Sequence, residues 1–263
     1  MSDRPTPSLD QVTASLTLSH ERLVAAVESL SDDEVAGPSY HSWTIAQVLS
    51  HLGSGAEIFT LILEAGAAGK PAPGADDFHP VWDRWNAMSP SDQARNALET
   101  DARFLQRLGE LTLPQRDAWR LDFFGGEKTL AEMVGMRLAE HAMHTWDVVV
   151  VREPEATVPA DAVALLVDNV VGLGGFAGKP AHVSTVRVTT ERPERSLLID
   201  GTGDQVTLTP DPADDVESEG VVRLPAEALL RLVYGRLDPD HTPSTVVAEG
   251  VDLDALRRTF PGV

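Results

Sequence analysis

Apolar residues at Val12, Leu16, Leu23, Val24, Val27 and Leu30 recur at helical spacing, which predicts a first helix from Leu9 to Leu30, closed by the acidic segment SDDEVAGPS. A second run follows Thr44, whose hydroxyl caps a helix while Gln47, three residues on, reaches back to complete a capping box. Trp43 and Val48 are placed to staple its start, and Ile45, Val48, Leu49, Leu52, Ile58, Phe59, Leu61 and Ile62 carry it to Gly66. The glycines and prolines of GAAGKPAPGADDFHP predict a long connection. Ser89 or Ser91 caps a third helix that uses Ala94, Leu98, Phe104, Leu105 and Leu108 and ends near Leu113, with Pro114 beyond it. After another loop, Thr129 and Glu132 repeat the capping-box spacing, and a fourth helix runs through Met133, Met136, Leu138, Met143 and Trp146 into VVVV. Four helices of about twenty residues predict a four-helix bundle, a fold that builds ligand and metal sites on facing interior positions. The long second connection permits a crossover, so the helix order stays open.

The pattern changes after REPEATVPAD. Residues 161–173 predict a short linking helix that GGFAGKP interrupts. STVRVTT, SLLID, QVTLT and GVVRL then alternate with period two, joined by the turn-rich ERPER, GTGD and DPADD. PAEALLRLVYGR predicts a helix with proline near its first turn and Gly235 near its end, and VVAEG with VDLDALRRTF adds a last strand and helix. The chain therefore divides into a helical bundle at 1–152, a linking helix and loop at 153–183, and an α+β domain at 184–263.

Charge narrows the partners. The 263 residues carry 41 acids against 21 bases, a formal net charge of −20. Both halves share the load, since residues 1–150 hold 22 acids and 11 bases and residues 151–263 hold 19 and 10. Such a surface repels nucleic acid and anionic membrane, because neither could gain by counterion release. The start, MSDRPTPSLD, lacks the basic and apolar regions of a secretory leader, and no run of about 18 apolar residues occurs, so a cytoplasmic location is expected. Cysteine is absent, which excludes disulfides, Cys-based zinc motifs and a cysteine nucleophile. Thiol chemistry would need a thiol from outside.

Three polar residues stand out. His51 falls on the apolar stripe 48, 51, 55, 58, 62 of the second helix, while Glu140 and His144 are four apart on one face of the fourth, followed by Asp147. Two imidazoles and a carboxylate inside one bundle would supply three ligands and leave a fourth position open, as catalytic zinc commonly requires. The plainer alternative is a hydrogen-bonded core histidine and a helix-surface pair, since E-x-x-x-H is short and common. Of the other histidines, His20, His79, His182 and His241 read as surface or loop residues. His41 precedes the second helix and His141 adjoins Glu140, and neither is assigned.

The segment PSYHSWTIAQVLSHL (38–52) and, some ninety residues later, MRLAEHAMHTWDVVV (136–150) together resemble the metal-binding domain of the mycothiol-dependent maleylpyruvate isomerase family, within the DinB-like superfamily. Trp43, His51, Glu140, His144 and Asp147 stand where that family has its tryptophan, histidine, glutamate, histidine and aspartate, and Arg137 matches an arginine one turn before the glutamate. The resemblance implies a DinB-like four-helix bundle followed by a small sterol-carrier-like sheet-and-helix domain, with zinc on His51, Glu140 and His144. It implies that Asp147 orients a ligand from behind, against the alternative of an exposed carboxylate near the helix end. The Gly-Arg pair ending LLRLVYGR makes Arg236 the match for an arginine important to activity, which would hold a substrate carboxylate. A cation at a helix C-terminus is the alternative there. Arg84 in VWDRWNAM matches a second family arginine only after a shift of one position against Asn86.

By the same resemblance the missing sulfur comes from mycothiol, a cysteine-bearing sugar conjugate. Its thiolate would attack an electrophilic small molecule, giving either cis-trans isomerisation of a maleylpyruvate-type substrate or S-transfer to a thioether. A metal-dependent hydrolase that activates water, and a non-catalytic metal- or ligand-binding protein, use the same residues. The expected state is a monomer or homodimer.

Overall fold

A computed structural model of the chain describes residues 6–40, 42–123, 125–180, 182–213 and 215–262. His41 lies outside the described residues. The chain separates into two compact units, Pro7–Glu153 and the residues from Pro154 onward.

The first unit contains α1 (Leu9–Glu28), α2 (Asp32–Val35), α3 (Ile45–Ala67), α4 (Ala75–Asn86), α5 (Pro90–Glu110), α6 (Leu113–Ala118), a hairpin of β1 (Arg120–Asp122) and β2 (Glu127–Thr129), and α7 (Leu130–Val149). The four long helices are α1, α3, α5 and α7. Capping boxes open α3 at Thr44 with Gln47 and α7 at Thr129 with Glu132, as the spacing predicts. Ser89, rather than Ser91, caps α5. That helix stops at Glu110, and Pro114 sits in the first turn of α6 under the Thr112 cap, where a missing N–H costs nothing.

The packing closes into a ring: α3 lies mainly on α5, α1 mainly on α7, and α3–α7 and α1–α5 complete it. Helices α1 and α3 therefore face each other across the bundle, as do α5 and α7. The crossovers are the connections α1→α3 and α5→α7, while the long second connection joins neighbours. That connection is not a loop either, since it holds α4, with Val81 and Trp85 buried. A Cβ at Gly53 would run into the Trp85 ring and approach the Ala97 backbone at 2.9 Å, so glycine lets α4 seat its indole directly on α3.

The second unit begins with α8 (Ala160–Leu166), a 3-10 turn at Val167–Asn169 and α9 (Val170–Ala177). Strands β3 (Thr185–Glu191), β4 (Arg195–Asp200), β5 (Thr207–Pro210) and β6 (Gly220–Pro225), then α10 (Ala226–Val233), β7 (Val247–Glu249) and α11 (Leu253–Thr259), follow. The sheet order is β5-β4-β3-β6-β7, with β3 and β6 parallel and the other pairs antiparallel. Val186, Val188, Leu197, Ile199, Leu208, Val222 and Leu224 turn one face into the core, and α10, α8 and α9 pack together in the same unit. The α+β pattern is the expected one. By length and composition, α3 and the stretch Ala160–Ala177 are apolar enough to cross a membrane; two-thirds of the α3 window is buried within the protein.

Candidate functional site

The α3–α7 seam brings together His51, Glu140 and His144. His51 Nε2 lies 3.0 Å from Glu140 Oε2, and His144 Nε2 lies 3.7 Å from the same oxygen. The edge of a tetrahedron of N and O ligands at zinc distances is about 3.3 Å, so the two separations bracket what one ion requires. Two imidazole nitrogens and a carboxylate oxygen also form a suitable donor set for a divalent metal. The group is half-buried rather than interior, with side-chain exposures of 39% for His51, 42% for Glu140 and 13% for His144. His51 sits shallower than the apolar stripe predicts, on the border of that face, where a site remains reachable.

Behind His144, Asp147 Oδ2 accepts a hydrogen bond from Nδ1 at 2.8 Å. Asp147 is buried, so the exposed-carboxylate alternative is excluded. A metal at Nε2 would need the tautomer that keeps its proton on Nδ1, which this bond favours. Trp43, expected to staple the start of α3, also lies beside the two imidazoles. It is 42% exposed, its ring stacking on His144 at 6.0 Å and lying 5.5 Å from His51. Burial would raise the Glu140 pKa, but the hydrogen bond from His51 and the charges of His144, His51 and Arg137 hold it down to about 2.

A second group lies deeper. His20 Nδ1 and His141 Nε2 both donate to Asp101 Oδ2, at 2.8 and 2.9 Å, and Arg137 donates to Oδ1 at 2.8 Å. Burial opposes ionisation of Asp101, yet the electrostatic pull of His141, the Arg137 charge and the hydrogen bonds from His141 and His20 keep its carboxyl well below the usual range. Complete burial pushes His141 the other way, toward the neutral form, despite Asp101 beside it. A neutral ring that donates through Nε2 accepts at Nδ1, where Ser19 Oγ stands at 2.8 Å and Thr145 Oγ1 at 3.2 Å. His20 is therefore not a surface residue. The sequence held a signal for this group: Asp101 falls on the stripe 97, 101, 104, 108, and Ser19 on the stripe 12, 16, 19, 23, 27.

The two arginines stand on or just after other elements. Arg84, on α4, is paired with Glu57 and lines a cavity of about 650 Å³ with Trp85 and Arg107; none of His51, Glu140 and His144 lines it. Arg236 belongs to the second unit and is 7% exposed, with Nη1 donating to the carbonyl of Tyr234, the C-cap just after α10, at 2.8 Å. That bond is the helix-end interaction raised as its alternative role.

The family profile described as "Mycothiol maleylpyruvate isomerase N-terminal domain" matches residues 16–149. Among solved structures, the crystal structure of a mycothiol-dependent maleylpyruvate isomerase is 15% identical, with a TM-score of 0.70 over 95% of this chain and 98% of that one. The same figures hold for a variant of it with one histidine replaced by alanine. YfiT from Bacillus subtilis, described as having an unusual four-helix bundle topology, covers 59% of this chain and 93% of its own at 19% identity and a TM-score of 0.43. No curated protein gives a significant match.

Proposed function

This chain belongs to the mycothiol maleylpyruvate isomerase N-terminal domain family, and from that premise we propose that it is a metal-dependent enzyme acting on an electrophilic small molecule with mycothiol as thiol cosubstrate. The reading covers two outcomes, a maleylpyruvate-type cis-trans isomerase and a mycothiol S-transferase. The observation that carries it is the convergence of His51 Nε2, Glu140 Oε2 and His144 Nε2 on one point, with Asp147 fixing the His144 tautomer. Those three residues would hold the ion, with zinc as the preferred identity from the N,N,O donor set. A divalent metal bound there supplies a Lewis acid that lowers the pKa of a thiol or water.

The chain's own residues then have distinct tasks. Glu140 contributes the negative charge that offsets the dication, and its low pKa means that no proton must leave it near neutral pH. Trp43 presents an aromatic ring at the exposed margin of the cluster and restrains both imidazoles by contact. Arg236 and Arg84 are the cations proposed for carboxylate and cosubstrate groups, since a guanidinium stays charged and binds carboxylate through two bonds. The absence of cysteine fits an enzyme whose sulfur arrives with a small molecule.

The test incubates the full chain with zinc, mycothiol and a panel of electrophiles that includes maleylpyruvate, and reads the products by mass. An isomer formed only with thiol present identifies an isomerase, and a thioether identifies an S-transferase. Hydrolysis that needs metal but no thiol would replace this reading with a metal-dependent hydrolase. Metal uptake without turnover would leave a binding protein.

A further inference from the structure

His51 stands on α3, and Glu140 and His144 stand on α7, yet neither helix packs chiefly on the other. Their relative height and rotation decide whether the three ligand atoms meet. A slip of one residue moves a side chain about 1.5 Å along a helix and about 100° around it, whereas a metal constellation tolerates about 0.5 Å. Apolar contacts along such a seam are non-directional and define register weakly.

The buried group around Asp101 is directional. Arg137 donates from α7 to Asp101 on α5 and also to the backbone carbonyl of Leu52 on α3, at 2.9 Å, one residue beyond His51. Gly55 makes room for this guanidinium, since a Cβ there would stand 3.0 Å from Nη1, and the Phe59 ring lies 5.9 Å from its centre. Asp101 further accepts from His141 on α7 and His20 on α1. One carboxylate and one guanidinium thus reach all four long helices, including α5 and α7, which face each other across the ring. Arg137 and Asp101 are each 1% exposed, and Arg137 Nε finds no partner among the described residues. A buried ion pair with a donor left over is a poor source of net stability, and its directional bonds are what it contributes. The group does not itself read as a second metal site, because the Arg137 cation already holds one Asp101 oxygen and would repel a dication beside it.

We infer that Asp101 and Arg137 are positioning residues for the metal-ligand cluster, their buried pair locking the register of α7 against α3 and so the spacing of His51 from Glu140 and His144. The inference rests on the reading of that cluster as a metal site.

The test uses the metal-free full chain with cobalt(II) as probe, its affinity read by chelator competition and its ligand geometry by the d–d spectrum. Arg137→Lys keeps a cation beside Asp101 but loses the planar fork that also reaches Leu52, and Asp101→Asn removes the hub charge. Each, still folded by circular dichroism, is expected to bind cobalt about 10–100-fold more weakly, with a shifted spectrum. The comparison variant Trp119→Phe loses a buried hydrogen bond to the Leu63 carbonyl farther along α3. It should lower the melting temperature and leave affinity and spectrum unchanged. If Asp101→Asn does not fold, Arg137→Lys decides. Wild-type affinity and spectrum in the folded hub variants would overturn the inference, as would an equal loss in Trp119→Phe. Failure of the wild type itself to bind cobalt would overturn the metal-site reading instead, and this inference with it.

Discussion

Asp147 offers a sharp test of the metal reading, because it touches a proposed ligand without being one itself. Its carboxylate lies 2.8 Å from His144 Nδ1, and the residue is 2% exposed, so water cannot easily take its place. A hydrogen bond to a charged group contributes about 1.5–3 kcal/mol. Loss of such a partner behind a metal-bound histidine typically costs about 10–100-fold in affinity, equivalent to about 1.4–2.8 kcal/mol, and the two ranges agree. Asp147→Asn keeps the shape. If the amide oxygen faces Nδ1, the bond survives without its charge and the loss falls at the low end. If the amide nitrogen faces Nδ1, the imidazole must carry its proton on Nε2, and ligation by His144 fails. Zinc affinity is measured by competition with a fluorescent chelator, with the melting temperature of the metal-free protein as a check on folding. Unchanged zinc affinity in a folded Asp147→Asn protein would refute the assignment of His144 as a ligand through Nε2.

Three further outcomes follow from the same geometry. Asp101 has a folded pKa well below its ordinary value of 3.8, so its stabilisation is fully present above that pH and is lost as pH falls below it; Asp101→Asn should cost about 3–5 kcal/mol in urea unfolding near pH 7, and the gap to wild type should shrink at pH 3 and below, whereas a constant gap would contradict the assignment. Gly53→Ala should cost about 1–3 kcal/mol by the same measurement, because its methyl meets the Trp85 ring and the Ala97 backbone, and wild-type stability would show that α4 yields freely. Arg236→Ala should retain zinc and lose thiol-dependent turnover, while unchanged turnover would restrict Arg236 to ending α10.

The long helices were legible because their apolar spacing and their caps agree: Thr44 with Gln47, and Thr129 with Glu132, mark starts that the structure reproduces. Helix α4 was not, since Pro80 and the glycine-rich approach read as breakers and only Val81 and Trp85 bury. The ring order of the bundle was also hidden, because loop length does not distinguish a diagonal crossing from a neighbouring one. At the site, spacing identified Glu140 and His144 as partners, but periodicity could not tell the rim of an apolar face from its centre, which misplaced the depth of His51. His20 and Asp101 lie 81 positions apart. Their pairing is set by tertiary packing, and only the presence of a carboxylate on an otherwise apolar stripe hinted at it.

Helix α7 carries the buried group around Asp101 through Arg137 and His141, and the proposed ligands Glu140 and His144 with Asp147 behind them. The two functions interleave along one continuous helix, separated only by the angle at which each side chain leaves the axis. Inserting or deleting a single residue between 137 and 147 would turn everything beyond it by about 100°, aiming a ligand at the core or a core cation at solvent. The length of this stretch is therefore as constrained as the identity of its polar side chains.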